Sequence, residues 1–164
     1  MKDESYQEKL EAVEFAMKCD DGMGAELLSE ADLVILGVSR TGKTPLSMHL
    51  AREGIKAANI PLIPETDPPP VLKELDPFRI IGLTMTAERL MAIRRERLKL
   101  LGLEPSASAY ASPERVEREL ARASDYMKSL GAIAIDVTDM AVEETARIVM
   151  EYLRQKEKIK NPGT

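Results

Sequence analysis

Short apolar runs alternate with segments of helical periodicity along most of the chain. The apolar runs predict four β-strands, which cover residues 32–36, 59–63, 79–83 and 132–137. Apolar residues at helical spacing predict five helices, which cover residues 6–18, 43–52, 87–101, 113–129 and 140–156. Strands that are joined by helical crossovers lie parallel in a sheet. The pattern therefore predicts an α/β layered fold with a mainly parallel sheet flanked by helices.

The first predicted helix carries Tyr6, Leu10, Val13 and Met17 at positions that share one face. Further along, residues 64–70 contain four prolines, which cannot continue a helix or donate to a strand ladder. This segment is therefore predicted to be an ordered loop.

Composition narrows the class of protein. A chain of 164 residues with 44% hydrophobic residues can fill the core of one domain, which we expect to span residues 1–164. The net charge of −5 argues against a general nucleic-acid binder. A single cysteine excludes an internal disulfide framework, and no apolar run of about twenty residues is present. We expect a cytoplasmic protein with no membrane or nucleic-acid partner.

The most informative motif follows the first predicted strand, where the letters GVSRTGKT satisfy the phosphate-loop pattern GxxxxGK[ST]. In such a loop backbone N–H groups cradle phosphates, the lysine reaches the terminal phosphates and the hydroxyl ligates Mg²⁺. The alternative is a glycine turn with a surface lysine. The candidate phosphate-binding residues are Gly37, Val38, Ser39, Arg40, Thr41, Gly42, Lys43 and Thr44. The sequence leaves open whether Arg40 reaches a phosphate or folds into solvent.

Two arginines of the predicted helix 87–101 point toward the protein interior in helical projection. Arg94 and Arg97 fall on the stripe of Leu90 and Leu98, whereas the remaining charged side chains fall on the outer face. A buried guanidinium needs an anionic partner, which is either a transferring phosphoryl group or a structural carboxylate. Both interpretations of this arginine pair remain open from the sequence.

Acidic residues at two places are candidates for metal binding or proton transfer. Asp20 and Asp21 follow the first helix and could orient Mg²⁺ or accept the proton of an attacking hydroxyl, although an acidic turn before Gly22 explains the same letters. Asp136 ends the last predicted strand and suits a metal-orienting carboxylate beside the phosphate loop. Its alternative role is in the turn and cap before the last helix.

Several strings together resemble a known family. They are DDG at 20–22, ADLVILGVSRTGKTPLSMHLA at 31–51, KAANIPLIPE at 56–65, GLT at 82–84 and IDVTDMAVEETA at 135–146. These resemble the pyruvate, phosphate dikinase and phosphoenolpyruvate synthase regulatory proteins. That resemblance implies a bifunctional enzyme: an ADP-dependent kinase phosphorylates a threonine of the dikinase or synthase, and a phosphate-dependent phosphorylase removes the group and releases pyrophosphate.

The resemblance also implies roles for individual residues and partners. Residues 37–44 would hold ADP, inorganic phosphate or pyrophosphate, and Lys43, Asp20, Asp21, Arg94 and Arg97 would form the catalytic set. Thr44 and Asp136 are the expected Mg²⁺ ligands, and a homodimer is a possible assembly. The resemblance further implies an N-terminal region of about a hundred residues ahead of the DDG segment, which this sequence lacks. The alternatives are a small-molecule kinase of the shikimate or adenylate type and a non-catalytic nucleotide-binding module.

Overall fold

The computed structural model describes residues 2–160, so residue 1 and residues 161–164 of the predicted domain lie outside it. Four strands alternate with helices along the chain. The strands are β1 (Leu33–Gly37), β2 (Ala57–Pro61), β3 (Ile80–Thr84) and β4 (Ile133–Asp136). The helices are α1 (Lys2–Lys18), α2 (Lys43–Arg52), α3 (Ala87–Leu100), α4 (Pro113–Ser129) and α5 (Val142–Lys160). None of the helices in this described range combines the length and the hydropathy that a membrane span requires.

The four strands form one sheet in the order β2-β1-β3-β4, and every neighbouring pair is parallel. β1 is buried along its whole length because it lies between two strands and beneath helices. Helices flank this sheet, which confirms the predicted α/β fold with a phosphate-loop-like layered architecture. Since the carboxyl ends of parallel strands meet at one edge, the turns that follow β1, β3 and β4 lie on the same side of the sheet.

Most predicted boundaries agree with the structure to within one or two residues, and two helices, α2 and α4, agree at both ends. The exceptions are α1, which begins four residues earlier than predicted, and α5, which ends four residues later. Strand β2 is shifted by two residues at both ends, since it begins at Ala57 and ends at Pro61 rather than covering 59–63. Its register pairs Leu33 with Ala57 and Gly37 with Pro61. The earlier start follows from β1, whose apolar residues need a partner along their whole length.

The face of α1 that carries Tyr6, Leu10 and Met17 is not its packing face, although Val13 from the same set packs against the buried residues. Tyr6 and Met17 are two-thirds exposed and Leu10 is also exposed, whereas Ala12 and Ala16 are buried. These two alanines pack with Ala51 of α2 in a small separate cluster. Small side chains allow the two helices to approach closely, and this packing outweighs the burial of the larger residues on the other face.

Candidate active site at the phosphate loop

The phosphate loop connects the end of β1 with the start of α2, as the motif predicts. Gly42 has a φ of 93° and Arg40 a φ of 74°, so the chain adopts left-handed backbone twice within the loop. At Gly37 an added Cβ would lie 2.6 Å from Thr41 Oγ1 and 3.2 Å from the Leu83 carbonyl oxygen. The glycine at this position is therefore required by close packing against β3.

Lys43 is buried in the loop, with only 6% of its surface exposed. Its ammonium group donates to the Val38 carbonyl oxygen at 2.9 Å, and Thr41 Oγ1 donates to the same oxygen at 2.8 Å. Burial lowers the pKa of Lys43 to about 8, with a smaller opposing effect of the Asp21 carboxylate. A glycine turn with a surface lysine is excluded, because this lysine is held inside the loop.

Asp20 lies directly against the first turn of α2. Its Oδ1 accepts a hydrogen bond from Thr44 Oγ1 at 2.7 Å and another from Asn59 Nδ2 at 2.7 Å. Asn59 is fully buried in β2, and its Oδ1 accepts from the backbone N–H of Asp21 at 3.0 Å. One asparagine thus fixes both aspartates beside the hydroxyl of the phosphate loop.

Sequence reasoning missed Asn59. The signal that could have found it is an amide residue in the middle of an apolar strand, because a buried polar side chain needs partners. Here those partners are the two residues of the acidic turn and the hydroxyl oxygen of Ser47, which accepts from Asn59 Nδ2 at 3.3 Å.

Asp21 and the loop border a common cavity of about 630 Å³. Asp21 is exposed and has a φ of 50°, which is unusual for a residue other than glycine. The cavity is lined by Asp20, Asp21, Ser39, Arg40, Gly42, Lys43, Thr44, Pro45, Pro61 and Ile63. Cations, carboxylates and a hydroxyl therefore face one space, which we call the acidic-turn cavity.

Arg94 is fully buried, as the helical projection predicts, but its contacts are with protein groups. Its guanidinium forms a salt bridge with Glu119 at 2.6 Å and lies over the ring of Tyr110. It also donates to the backbone carbonyl oxygens of Tyr110 at 3.0 Å and Ser39 at 3.3 Å. The structural-carboxylate interpretation agrees with these contacts, and Arg94 supports the phosphate loop from inside the protein.

Tyr110 and Glu119 are further residues whose role at the loop the motif did not indicate. The hydroxyl of Tyr110 shares a hydrogen bond with Ser39 Oγ at 3.0 Å. Glu119 also accepts from Arg115 at 3.4 Å, and Arg115 pairs with Glu65 at 2.8 Å. The loop is therefore connected through side chains to α4 and to the proline-rich segment.

The prediction that Arg97 points inward was wrong, since the structure places this side chain on the surface. The buried positions of α3 are Leu90, Arg94 and Leu98, which repeat at four-residue spacing. Arg97 lies at the edge of that stripe, beyond the part that neighbouring elements cover. It borders a surface cavity that Arg40 also lines.

Asp136 ends β4, and β3 lies between this strand and β1. Its Oδ1 accepts hydrogen bonds from the backbone N–H and the hydroxyl of Thr138, and these bonds lower the pKa of its carboxyl group. Thr138 Oγ1 in turn accepts from the backbone N–H of Thr86. These contacts agree with a role in the turn before α5, and the role of Asp136 as a Mg²⁺ ligand stays a prediction.

A comparison with known proteins gives the family. The model of the kinase/pyrophosphorylase family matches residues 1–150. The chain belongs to this family. Its relatives include pyruvate, phosphate dikinase regulatory proteins of a Thermoanaerobacter species, 52% identical over 151 residues, and of Carboxydothermus hydrogenoformans, 52% identical over 153 residues. Another from Geobacillus thermodenitrificans is 48% identical over 153 residues.

These matches cover 92% to 93% of the chain but 55% to 57% of the relatives. This member of the kinase/pyrophosphorylase family thus spans about half the length of the curated relatives it matches. The resemblance seen in its sequence motifs is confirmed over nearly the whole of the chain.

The donor set of this kinase/pyrophosphorylase chain suits Mg²⁺ that arrives with phosphates. Within residues 2–160 no group of three His, Cys, Asp or Glu side chains could hold a metal alone. Magnesium usually takes one or two protein ligands and completes its shell with water and phosphate oxygens. The Thr44 hydroxyl and the Asp20 carboxylate, joined at 2.7 Å, fit that requirement.

Proposed function

We propose that this chain carries the phosphoryl-transfer site of a regulatory enzyme that adds a phosphoryl group from ADP to a protein threonine and removes it with inorganic phosphate. The observation that carries the proposal is the juxtaposition of the buried Lys43 and the Thr44–Asp20 pair around one cavity. Membership of the kinase/pyrophosphorylase family supports the same reaction class.

In the forward reaction the loop N–H groups and the Lys43 ammonium hold the β-phosphate of ADP. Asp21, exposed in the acidic-turn cavity, accepts the proton of the threonine hydroxyl. The hydroxyl oxygen forms a bond to the β-phosphorus, while the bond to the bridging oxygen of the α-phosphate breaks. Phosphothreonine and AMP are the products.

In the reverse process an oxygen of inorganic phosphate attacks the phosphorus of phosphothreonine. The bond from phosphorus to the threonine oxygen breaks, and Asp21 returns a proton to that oxygen. Pyrophosphate leaves from the same loop that held ADP. One anion site can serve both directions. In the kinase direction it holds the two phosphates of ADP, and in the phosphorylase direction it holds inorganic phosphate together with the phosphoryl group of phosphothreonine.

Mg²⁺ would be held by Thr44 and Asp20 and would neutralise charge on the phosphate oxygens. Asp20 is better suited to this role than to proton transfer, because its Oδ1 already accepts from Thr44 and Asn59. Arg40 is exposed and lines the acidic-turn cavity, where it can contact an entering phosphate. Arg94 supports the loop and takes no direct part in the transfer.

The protein substrate that we propose is pyruvate, phosphate dikinase or phosphoenolpyruvate synthase. The first of these enzymes, pyruvate, phosphate dikinase, appears in the names of the relatives. The transfer test incubates the chain and purified dikinase with ADP labelled at the β-phosphate, and it follows label on dikinase threonine and release of AMP. Transfer that disappears in Lys43→Ala supports the proposal, and transfer that persists in this variant contradicts the role of the loop.

A separate titration measures binding of ADP and pyrophosphate with and without Mg²⁺. Binding that is lost in Lys43→Ala, without any transfer to the dikinase, would support the non-catalytic nucleotide-binding alternative for this chain. Binding of neither ligand would contradict the proposed function altogether.

A further inference from the structure

A second cavity of about 240 Å³ lies on the other side of the phosphate loop, and the reaction described above does not use it. Arg40, Thr41 and Gly42 of the loop form one of its walls. Its remaining walls come from α3, from the first turns of α2 and α5, and from the segments that follow β3 and β4. We call it the apolar cavity.

The walls of this cavity are mainly hydrophobic side chains. Leu83 and Met85 contribute from β3 and its end, Ile93 from α3, and Val137 and Met140 from the segment after β4. The acidic-turn cavity contrasts with it, since two aspartates, a lysine and a threonine line that space. The two sides of the loop therefore offer different chemistry to a bound molecule.

The two cavities meet at the phosphate loop. Arg40, Gly42 and Pro45 line both of them, so a molecule with its phosphates on the loop borders the apolar cavity as well. The apolar cavity is also at the carboxyl ends of β3 and β4, the edge at which parallel sheets bind ligands. An aromatic ring is the part of a nucleotide that gains most from hydrophobic walls.

We propose that the apolar cavity holds the base of the nucleoside diphosphate, which leaves the acidic-turn cavity to Mg²⁺ and the acceptor threonine. This proposal rests on the proposed function, because it assumes that ADP is bound by the loop. It assigns Ile93 as a contact of the base and separates the nucleotide entrance from the entrance of the protein substrate.

The test uses the same substitution on the two sides of the loop. Ile93 is half-buried in the apolar cavity, and Ile63 is exposed at the acidic-turn cavity. Ile93→Trp would fill the apolar cavity, and we expect it to weaken ADP binding by about tenfold or more while pyrophosphate affinity changes by less than about twofold. Ile63→Trp crowds the acidic-turn cavity instead, and we expect it to affect ADP and pyrophosphate affinity alike. Ile148→Trp, at an exposed isoleucine of α5 that lines neither cavity, is the matched control and should leave the affinity of both ligands unchanged.

The affinities of the wild type and the variants for ADP and pyrophosphate are measured by calorimetry. The results separate this proposal from the proposed function. ADP binding that falls in Ile63→Trp but not in Ile93→Trp would place the base on the acidic side and overturn the inference. Unchanged ADP affinity in Ile93→Trp would also overturn it, since a base in the apolar cavity would meet the larger side chain. If the wild-type chain bound neither ligand, the proposed function itself would fail.

A second measurement on the unaltered chain guards against misfolding of the tryptophan variant. In protein with labelled isoleucine methyl groups, assigned with Ile93→Val and Ile63→Val, the ring current of a bound base should shift the Ile93 signal. Pyrophosphate should leave that signal in place. Equal shifts of the Ile93 methyl with ADP and pyrophosphate would contradict contact with the base.

Discussion

Replacing Lys43 by methionine should stabilise the free protein while removing its anion binding. Methionine has a similar length and no charge, so the change removes the cost of holding an ammonium group inside the loop. That cost is visible in the pKa of Lys43, which burial lowers from 10.5 to about 8. A lowering of roughly 2.5 corresponds to about 3 kcal/mol of unfavourable free energy for the charged form.

The net gain is smaller than this cost, because the variant also loses the hydrogen bond from Lys43 to the Val38 carbonyl oxygen. Such a bond contributes about 1 kcal/mol, and Thr41 continues to satisfy the same oxygen. We therefore expect Lys43→Met to raise the free energy of unfolding by about 2 kcal/mol at pH 7.

The pH dependence of the free energy of unfolding gives a more specific prediction than its value at pH 7. Between pH 8 and pH 10.5 the unfolded chain keeps its proton on Lys43 while the folded chain loses it, so the wild-type protein gains stability as the pH rises. The methionine variant has no such group. The difference in free energy of unfolding between Lys43→Met and the wild type should therefore decrease from about 2 kcal/mol at pH 7 to near zero at about pH 9.5.

Urea denaturation of both proteins at pH 7 and pH 9.5 measures these differences. Lys99→Met, at an exposed lysine of α3, is the matched control and should change stability by less than about 0.5 kcal/mol at either pH. A Lys43→Met variant that is less stable than the wild type at pH 7, or whose advantage is the same at both pH values, would refute the reasoning.

Three further substitutions test individual contacts. Asp20→Asn should abolish the effect of Mg²⁺ on ADP affinity in calorimetry, and an unchanged effect would exclude Asp20 as a ligand. Gly37→Ala places a Cβ 2.6 Å from Thr41 Oγ1, so it should cost about 1–3 kcal/mol in denaturation and abolish pyrophosphate binding. Arg94→Met leaves the buried Glu119 with only its longer contact to Arg115 and should cost about 3–5 kcal/mol, most of which Glu119→Leu should restore; no recovery in the double variant would contradict this.

The sequence was most informative where a local rule decides the structure. Helix α4 begins where Ser112 caps it and Pro113 occupies its first turn, so its start can be read directly from these letters. The phosphate loop is also predictable, since its glycines and lysine recur at fixed spacing. Alternating apolar and helical segments were sufficient for the α/β class.

The errors concern faces and partners, which depend on elements far away in the sequence. Arg94 and Arg97 have similar positions in a helical projection, but the structure covers only the side of Arg94. A helical projection cannot show which positions of the helix are buried by neighbouring elements. For the same reason the sequence could not show that β3 lies between the strand of Asp136 and the strand that leads into the phosphate loop.

The bridge formed by Asn59 has a consequence for how the site comes into being. Asp20, Thr44 and Asn59 are joined by side-chain hydrogen bonds across 24 and 39 positions of the chain. A peptide that ended with α2 would contain the complete phosphate-loop motif and both aspartates, yet it would lack Asn59 and the β3 carbonyl beside Gly37. The phosphate-loop motif therefore does not form the anion-binding site on its own. Anion affinity should emerge late in folding, when the central strands have paired, and it can serve as a reporter of the assembled sheet.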